Sequence, residues 1–399
     1  MSAVPDWAVW QRGNEYTLGV EEEAMLLDPS DWSLAQQVDR VLPAMSEKLS
    51  AHLSSETQRS VLELRTGVHG TAADVSKELV QLRCMLDQEL SPLGLRAASA
   101  ATHPFTVWQE TVVSSGERYE FLYGSMRELA RREPTFALHV HVGVDDPEDG
   151  VRLANRMRAH LPLLLALSVN SPFWQGRDTG LASARTPLFQ AFPRVGIPRV
   201  FADYAEWVEA VDLLIRCDAF PDPTFLWWDV RPQPRLGTVE VRIMDAQTSA
   251  AETAALAALV QCIARLEVED GFVDERLITT QEALDENRFI AARDGMGARL
   301  IDPVHERRVP AGDLLEDLLV ACAPHAEALG CEGELEPVTE LARRTGAQRQ
   351  LELARSGDRL PGLVASLAET FCDEGYAGPD GTRTASSGSV APAQPGRPG

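Results

Sequence analysis

The chain has 399 residues and a formal net charge of -23, from 60 acidic and 37 basic residues. This acidic balance opposes binding to nucleic acid or to an anionic membrane surface, so a phosphate-bearing partner must be held locally by metal ions or a few arginines. Six scattered cysteines without a CxxC pair, the absence of an 18-residue apolar run and the lack of a basic and apolar leader predict a soluble, cytoplasmic protein with free thiols.

The stretch from Tyr16 to Asp28 alternates apolar and acidic residues. Successive side chains of a strand point to opposite faces, so Glu21 and Glu23 share one face, about 7 Å apart, while Glu22 points to the other. Two carboxylates on one half-buried face repel each other unless a cation neutralises them, so the stretch predicts a metal site. The alternative is an exposed edge strand with a solvated acidic face. Glu22 is expected to be structural.

Three later segments also oppose an apolar face to a face that bears charged or imidazole side chains. They are residues 60–67, 135–144 and 237–245. Alternation places on the polar faces Glu63, Arg65, His139, His141, Glu240 and Arg242. Glu56 precedes Glu63 by seven residues, an odd offset, so it can join them only from a loop or past a bulge. Together the segments predict one antiparallel sheet with an acidic, metal-binding concavity.

Helical spacing of apolar residues predicts the layer that covers the other face of this sheet. It extends over residues 35–50, 71–90, 117–132, 147–169, 204–217, 249–269, 274–293, 311–329, 333–355 and 360–373. Residues 170–201 lack clear periodicity and are predicted to form a long ordered loop. We therefore expect an α+β fold with a catalytic domain over residues 14–375, followed by a disordered Gly/Pro/Ser-rich tail over residues 378–399.

The residue types on the polar face indicate the chemistry. Oxygen ligands with few imidazoles suit Mg2+ or Mn2+ better than structural zinc, and metals with arginines suit a nucleotide polyphosphate. The sequence has no GxxxxGK[ST], HExxH or GxSxG motif, which excludes P-loop, zincin and serine-hydrolase sites. The alternative is a metal-dependent hydrolase of amides or phosphoesters that uses the same acidic cluster. His141 and Arg242 oppose that alternative, because they add phosphate-binding cations beside the metals.

Four motifs in this order resemble those of the glutamate-cysteine ligase type 2 family. They are Gly-Val-Glu-Glu-Glu at 19–23, Glu56 followed by Glu-Leu-Arg-Thr-Gly at 63–67, Leu-His-Val-His-Val-Gly at 138–143 and Val-Glu-Val-Arg-Ile-Met-Asp at 239–245. The resemblance covers roughly residues 14 to 370. It implies an ATP-dependent carboxylate-amine ligase with a glutamine-synthetase-like fold, in which a curved antiparallel sheet carries helices on one face and an active-site funnel on the other.

The resemblance also implies roles for individual residues. Metal-ligand positions match Glu21, Glu23, Glu56, Glu63, His139 and Glu240. His141 and Arg242 match positions that touch ATP phosphates, and Arg65 is a further candidate for the cofactor. The stretch from residue 170 to residue 185 resembles the family's substrate loop, in which Arg185 is the candidate for the substrate carboxylate. Leu181 and Ala184 stand where aromatic residues are common in the family.

The implied reaction is an amide synthesis. ATP is expected to phosphorylate a carboxylate, that of the glutamate side chain, and an amine then attacks the acyl phosphate. Activity with cysteine is expected to be weak, because of the altered loop. The implied partners are amino acid and amine substrates, without nucleic acid or membrane, and a homo-oligomer is left open.

Overall fold

The central feature of the computed structural model, which describes residues 4–13, 15–132, 134–356 and 359–373, is an antiparallel sheet. The strands within these ranges are β1 Leu18–Leu27, β2 Leu53–Ser55, β3 Val61–Arg65, β4 Arg96–Ala98, β5 Ala137–Gly143, β6 Phe173–Trp174, β7 Arg177–Asp178, β8 Val195–Gly196, β9 Trp227–Trp228, β10 Val230–Gln233, β11 Thr238–Asp245, β12 Arg299–Asp302 and β13 Arg307–Pro310. Seven of them form the central sheet in the order β10-β11-β5-β1-β3-β2, with β4 paired to β1. All four strands predicted from alternation lie in this sheet.

The described ranges also contain α-helices, several of which cover the apolar face of the sheet. They are α1 Val38–Val41, α2 Glu47–Ser50, α3 Ala72–Leu90, α4 Glu117–Met126, α5 Leu129–Arg132, α6 Pro147–Met157, α7 Leu161–Ser168, α8 Arg185–Phe189, α9 Tyr204–Arg216, α10 Ala250–Glu269, α11 Glu275–Thr279, α12 Gln281–Asp294, α13 Ala311–Leu329, α14 Glu332–Arg343, α15 Gly346–Arg355 and α16 Leu360–Glu369. The longest, α10, packs against α3, α6, α13 and α14 and against β5. It begins with a capping box between Ser249 and Glu252, which satisfies the first backbone N–H groups of this buried helix.

β1 shows how alternation separates the core from the polar face. Leu18 and Val20 are buried among the helices of the covering layer. Glu22 points to the same side and is fully buried, where it forms an ion pair with Arg83 of α3. Nε of Arg83 donates to Oε1 of Glu22 over 2.7 Å, and Thr253 of α10 donates to Oε2 over 3.0 Å. Glu22 is therefore structural, as its facing predicts.

Several predicted helices are interrupted. The 147–169 segment divides into α6 and α7, because Pro162 in the first turn of α7 has no N–H to continue the hydrogen-bond ladder. The 117–132 segment breaks between α4 and α5 at Arg127, whose φ is 56°. The segments that also form two helices rather than one are 35–50, 274–293 and 333–355.

Three further predictions concern the C-terminal tail, the apolar character of the helices and the long loop. The Gly/Pro/Ser-rich tail, residues 378–399, lies outside the described residues. Among the described helices, none combines the length and the apolar character needed to cross a membrane. The predicted long loop over residues 170–201 is ordered and contains short elements, β6, β7, α8 and β8.

Candidate active site

A cavity of about 440 Å³ opens on the polar face of the central sheet. Side chains of β1, β3, β5, β10 and β11 form its floor, and α4, α8 and the residues around β9 form its walls. The site residues predicted from the sequence that line it are Glu21, Glu23, Glu56, Glu63, Arg65, His139, His141, Arg185, Glu240 and Arg242. All ten catalytic, metal-binding and cofactor-binding residues predicted from the sequence therefore line the same cavity.

The register of the strands brings these residues together. His139 of β5 lies opposite Glu21 of β1, and His141 lies opposite Glu240 of β11. On the other side of β1, Glu63 lies opposite Glu23. Because directly opposed residues of antiparallel strands are about 4.5–5.5 Å apart, side chains separated by more than 200 residues in the sequence become neighbours.

Two groups of side chains have the spacing that a divalent ion requires. One is Glu21, His141 and Glu240, the other Glu21, Glu63 and His139, and in each the ligand atoms lie within 4.8 Å of one another. Nε2 of His141 is 3.6 Å from Oε1 of Glu21 and 3.9 Å from Oε1 of Glu240, and it makes no hydrogen bond to any described residue. A buried ring nitrogen between two carboxylates fits a cation, so the donor set suits Mg2+ or Mn2+. His141, expected at the phosphates, is thus also a candidate metal ligand.

Glu23 and Glu56 line the cavity but lie outside both groups. Burial raises the pKa of each of these carboxyl groups to about 7. Burial, together with the charges of Glu56 and Glu21, also raises the pKa of Glu63. Buried carboxylates that repel one another are stable in the charged form only beside positive charge. The electrostatics of the part of the cavity lined by Glu23, Glu56 and Glu63, here called the acidic end, therefore favour bound cations.

Glu56 reaches the cavity from a loop, as its spacing predicts. It follows β2 directly, and Oγ of Ser114 donates a hydrogen bond to its carbonyl oxygen over 2.5 Å. The hydroxyl of Tyr119, on α4, donates to the carbonyl of Ser55 over 2.7 Å. The position of the Glu56 carboxylate therefore depends on residues 114–119, which the sequence did not indicate.

The two histidines have different electrostatic environments. Burial and the charge of Arg242 lower the pKa of His139 to about 4, so its ring is neutral near pH 7, as a metal ligand must be. For His141, burial opposes the charged form, but the carboxylates of Glu240 and Glu21 raise the pKa above its ordinary value. Nδ1 of His141 lies 3.0 Å from Oγ1 of Thr238, a contact that orients the ring.

Glu240 is the centre of a buried charge network. Nε of Arg231 donates to its Oε2 over 2.7 Å, the Gln233 amide donates to the same oxygen over 2.6 Å, and Arg242 donates to Oε1. Arg242 also lies 3.3 Å from Nδ1 of His139. Arg231 and Gln233 were not predicted from the sequence, although they alternate on β10 in the same way as Glu240 and Arg242 on β11. The network places two guanidinium groups beside the candidate metal ligands.

The remaining predicted arginines occupy the rim and the wall. Arg65 is half exposed, with Nε 3.7 Å from Oε1 of Glu63. Arg185 is buried, and its two terminal nitrogens donate to the carbonyls of Ile243 and Arg242 over 3.0 and 3.2 Å. Nε of Arg185 has no hydrogen-bond partner within the described part of the chain. Nε itself is buried, and the guanidinium group of Arg185 lies at the cavity wall.

The altered positions of the predicted substrate loop lie away from the cavity. Leu181 borders a separate cavity with Arg293 and Gly295, and Ala184 is buried beside Arg185. Among the described residues that line the active cavity, neither Leu181 nor Ala184 appears. The choice of amine must therefore be inferred from other side chains.

Comparison with known proteins gives relatives over most of the chain. A protein of Rubrobacter xylanophilus provisionally named glutamate-cysteine ligase 2-1 is 42% identical over 356 residues, which cover 89% of this chain and 94% of the relative. A protein of Sorangium cellulosum, provisionally named glutamate-cysteine ligase 2, is 38% identical over 363 residues, 89% of this chain and 96% of the relative.

Solved structures share the fold at low identity. The glutamate-cysteine ligase of Francisella tularensis in complex with AMP has a TM-score of 0.66 and 13% identity, with 90% of each chain covered. A bifunctional glutathione synthetase from Pasteurella multocida has a TM-score of 0.68 and 14% identity, and the match covers 90% of this chain and 52% of that one. These similarities confirm the predicted α+β fold class.

The family model described as glutamate-cysteine ligase family 2 matches residues 17–370. This match, the extent of the relatives and the cavity on the polar face of the sheet agree with one another. The chain therefore belongs to glutamate-cysteine ligase family 2 and is an ATP-dependent ligase that forms C–N bonds.

Proposed function

We propose that the protein joins glutamate to an amine through an acyl phosphate. An oxygen of the glutamate side-chain carboxylate attacks the γ-phosphorus of ATP, and ADP leaves. The amine nitrogen then attacks the acyl carbon, phosphate leaves with the former carboxylate oxygen, and the nitrogen loses a proton as the amide forms. The observation that carries this proposal is the cavity itself, because it combines two candidate sites for divalent ions with two guanidinium groups.

The metals that fit the donor set are Mg2+ or Mn2+. Bound there, they would neutralise phosphate charge and align the transferred group. Glu21, Glu63 and His139 would hold one ion, and Glu21, His141 and Glu240 the other. Glu23 and Glu56 would add negative charge at the acidic end of the cavity.

The arginines position and stabilise charge. Glu240 holds the guanidinium group of Arg242 in place, and Arg231 pairs with the other oxygen of the same carboxylate. A preorganised guanidinium group can donate to phosphate oxygens as charge develops on them, without a large rearrangement. Arg65, at the rim, is suited to the outer phosphates of the nucleotide, and Arg185 to a carboxylate of the amino acid substrate.

The experiment that tests the proposal measures release of ADP and phosphate with Mg2+ or Mn2+ present. We expect release only when glutamate and an amine are both supplied, and amide product in equal amount by mass spectrometry. An equal rate of ATP hydrolysis without these substrates would contradict the proposal. The metal-dependent hydrolase is not favoured, since the family match is to ligases. Cysteine remains a proposed weak acceptor.

A further inference from the structure

One wall of the active cavity is apolar, although the floor is strongly charged. It consists of Leu122, Phe189, Phe192 and Trp227, which line the same cavity as the candidate metal ligands. The ring centroids of Phe189 and Phe192 are 5.1 Å apart, and those of Phe192 and Trp227 are 6.2 Å apart. The rings thus form a continuous surface, here called the apolar wall. Phosphates and carboxylates gain nothing from such a surface, so it suits either an apolar side chain of the acceptor or the base of the nucleotide.

The apolar wall begins beside the predicted contact for the substrate carboxylate. Phe189 lies one helical turn after Arg185 on α8, and Cζ of Arg185 is 5.8 Å from its ring centroid. The guanidinium group of Arg185 is fixed by its bonds to two backbone carbonyls, while its Nε lacks a hydrogen-bond partner among the described residues. One short helix therefore presents a buried cationic donor and an aromatic ring to the same cavity. This pairing suits a molecule with a polar head and an apolar side chain.

The strand register separates this end of the cavity from Arg231, the cation on β10. Arg185 lies 3.7 Å from Asp245, which is opposite Ala137 at the start of β5. Arg231 pairs with Glu240, which is opposite His141 of β5. His141 is four residues after Ala137 along β5, a distance of about 13 Å. The polyphosphate can therefore lie beside Arg231, while Arg185 and Phe189 at the start of the apolar wall serve the substrates.

Resting on the proposed function, we infer that the acceptor amine carries an apolar side chain of branched-aliphatic or aromatic size, and that the apolar wall selects it. The side chain packs against Phe189, Phe192 and Trp227, while the amine nitrogen reaches the acyl carbon. Small or polar acceptors leave the rings exposed to water in the complex, so they bind less well in the transition state. This is the reason for weak activity with cysteine.

The test compares acceptors with wild-type enzyme, glutamate and Mg-ATP. Phenylalanine and leucine are compared with alanine, serine and cysteine, and hydroxylamine serves as a small nucleophile that needs no side-chain contact. We expect kcat/KM for phenylalanine or leucine to exceed that for alanine and cysteine by roughly 10- to 100-fold. Product masses identify each amide, and the hydroxamate reports formation of the acyl phosphate independently of the acceptor.

Variants of the apolar wall assign the preference to the rings. Phe189→Ala should lower kcat/KM for the preferred acceptor by roughly 10-fold or more, and by far more than it lowers the rate for hydroxylamine or the affinity for Mg-ATP. Phe192→Leu provides a second variant that keeps an apolar side chain at a more buried position. The matched control is Phe289→Ala, an exposed phenylalanine of α12 outside the active cavity, which should change none of these values. A melting curve for each variant confirms folding.

Three results would overturn the inference. If the enzyme forms the hydroxamate but shows no preference for apolar amines, the acceptor has been assigned wrongly, while the proposed ligase function stands. Weaker Mg-ATP binding by Phe189→Ala and Phe192→Leu would assign the apolar wall to the nucleotide base. Failure to form the hydroxamate or any amide would reject the proposed function and the inference with it.

Discussion

Neighbouring glutamates of β1 should affect stability in opposite directions when neutralised. Nε and Nη2 of Arg83 donate to the two carboxylate oxygens of Glu22 over 2.7 and 2.5 Å, and both side chains are fully buried. Glu22→Gln leaves the guanidinium group of Arg83 without its countercharge, which should lower the free energy of unfolding by about 3–5 kcal/mol. Glu23 points into the cavity, where burial raises its pKa from 4.5 to about 7, with Arg185 opposing the rise and Glu63 adding to it.

The raised pKa of Glu23 sets the size of the change in stability that we expect for Glu23→Gln. A carboxyl group whose pKa is raised by folding destabilises the folded state above that pKa, because it must then be charged in both states. At pH 8 without metal, Glu23→Gln removes this penalty. At 1.36 kcal/mol for each pH unit between 4.5 and 7, the gain in the free energy of unfolding is about 3 kcal/mol. The same variant should lose activity, because it removes a charge from the acidic end.

The assay is denaturant unfolding of wild type, Glu22→Gln and Glu23→Gln in EDTA at pH 8. We expect the midpoint to fall for Glu22→Gln and to rise for Glu23→Gln, and added Mn2+ should favour wild type relative to Glu23→Gln. The two substitutions make the same chemical change one residue apart, so each is the control for the other. Destabilisation of similar size in both variants would refute the assignment of the two residues to opposite faces.

The other predictions concern the arginines and the loop that carries Glu56. Arg242→Lys keeps charge but loses the forked donor, so turnover should fall by roughly 10²- to 10³-fold, without rescue in a titration of activity against Mn2+. Glu240→Gln removes the shared countercharge of two guanidinium groups, so melting should show a loss of about 3–5 kcal/mol, and Mn2+ should bind more weakly. Tyr119→Phe removes the hydrogen bond to the Ser55 carbonyl, which should lower stability by about 1 kcal/mol and weaken Mn2+ binding through Glu56. An unchanged Mn2+ affinity in Tyr119→Phe would show that Glu56 is not positioned by α4.

The sequence predicted the sheet well because facing on a strand is set by alternation alone. Glu21, Glu63 and His139 were assigned to one face without knowledge of strand order, and the register then brought them together. The same alternation assigned Glu22, which lies between two cavity residues, to the opposite face, and its side chain is buried in the core. The strand order itself depends on pairing between distant segments, which no local pattern specifies.

Local sequence patterns could not predict which residues form the walls of the cavity. Phe189 and Leu122 resemble ordinary core residues in the sequence, and only the packing of α4 and α8 over the sheet brings them to the site. Arg231 could have been recognised, because it alternates with Gln233 on a strand that immediately precedes Glu240. The predicted substrate loop suggested that Leu181 affects the choice of amine, but Leu181 lines a different cavity.

Transfer of labelled oxygen from the glutamate carboxylate to phosphate tests most directly whether ATP phosphorylates that carboxylate. Glutamate labelled with 18O in its side-chain carboxylate is incubated with Mg-ATP and an accepted amine, and the released phosphate is analysed by mass spectrometry. An acyl phosphate requires one labelled oxygen in each phosphate released during amide synthesis, because the oxygen that attacks phosphorus departs with it. Unlabelled phosphate accompanying amide product would contradict the account.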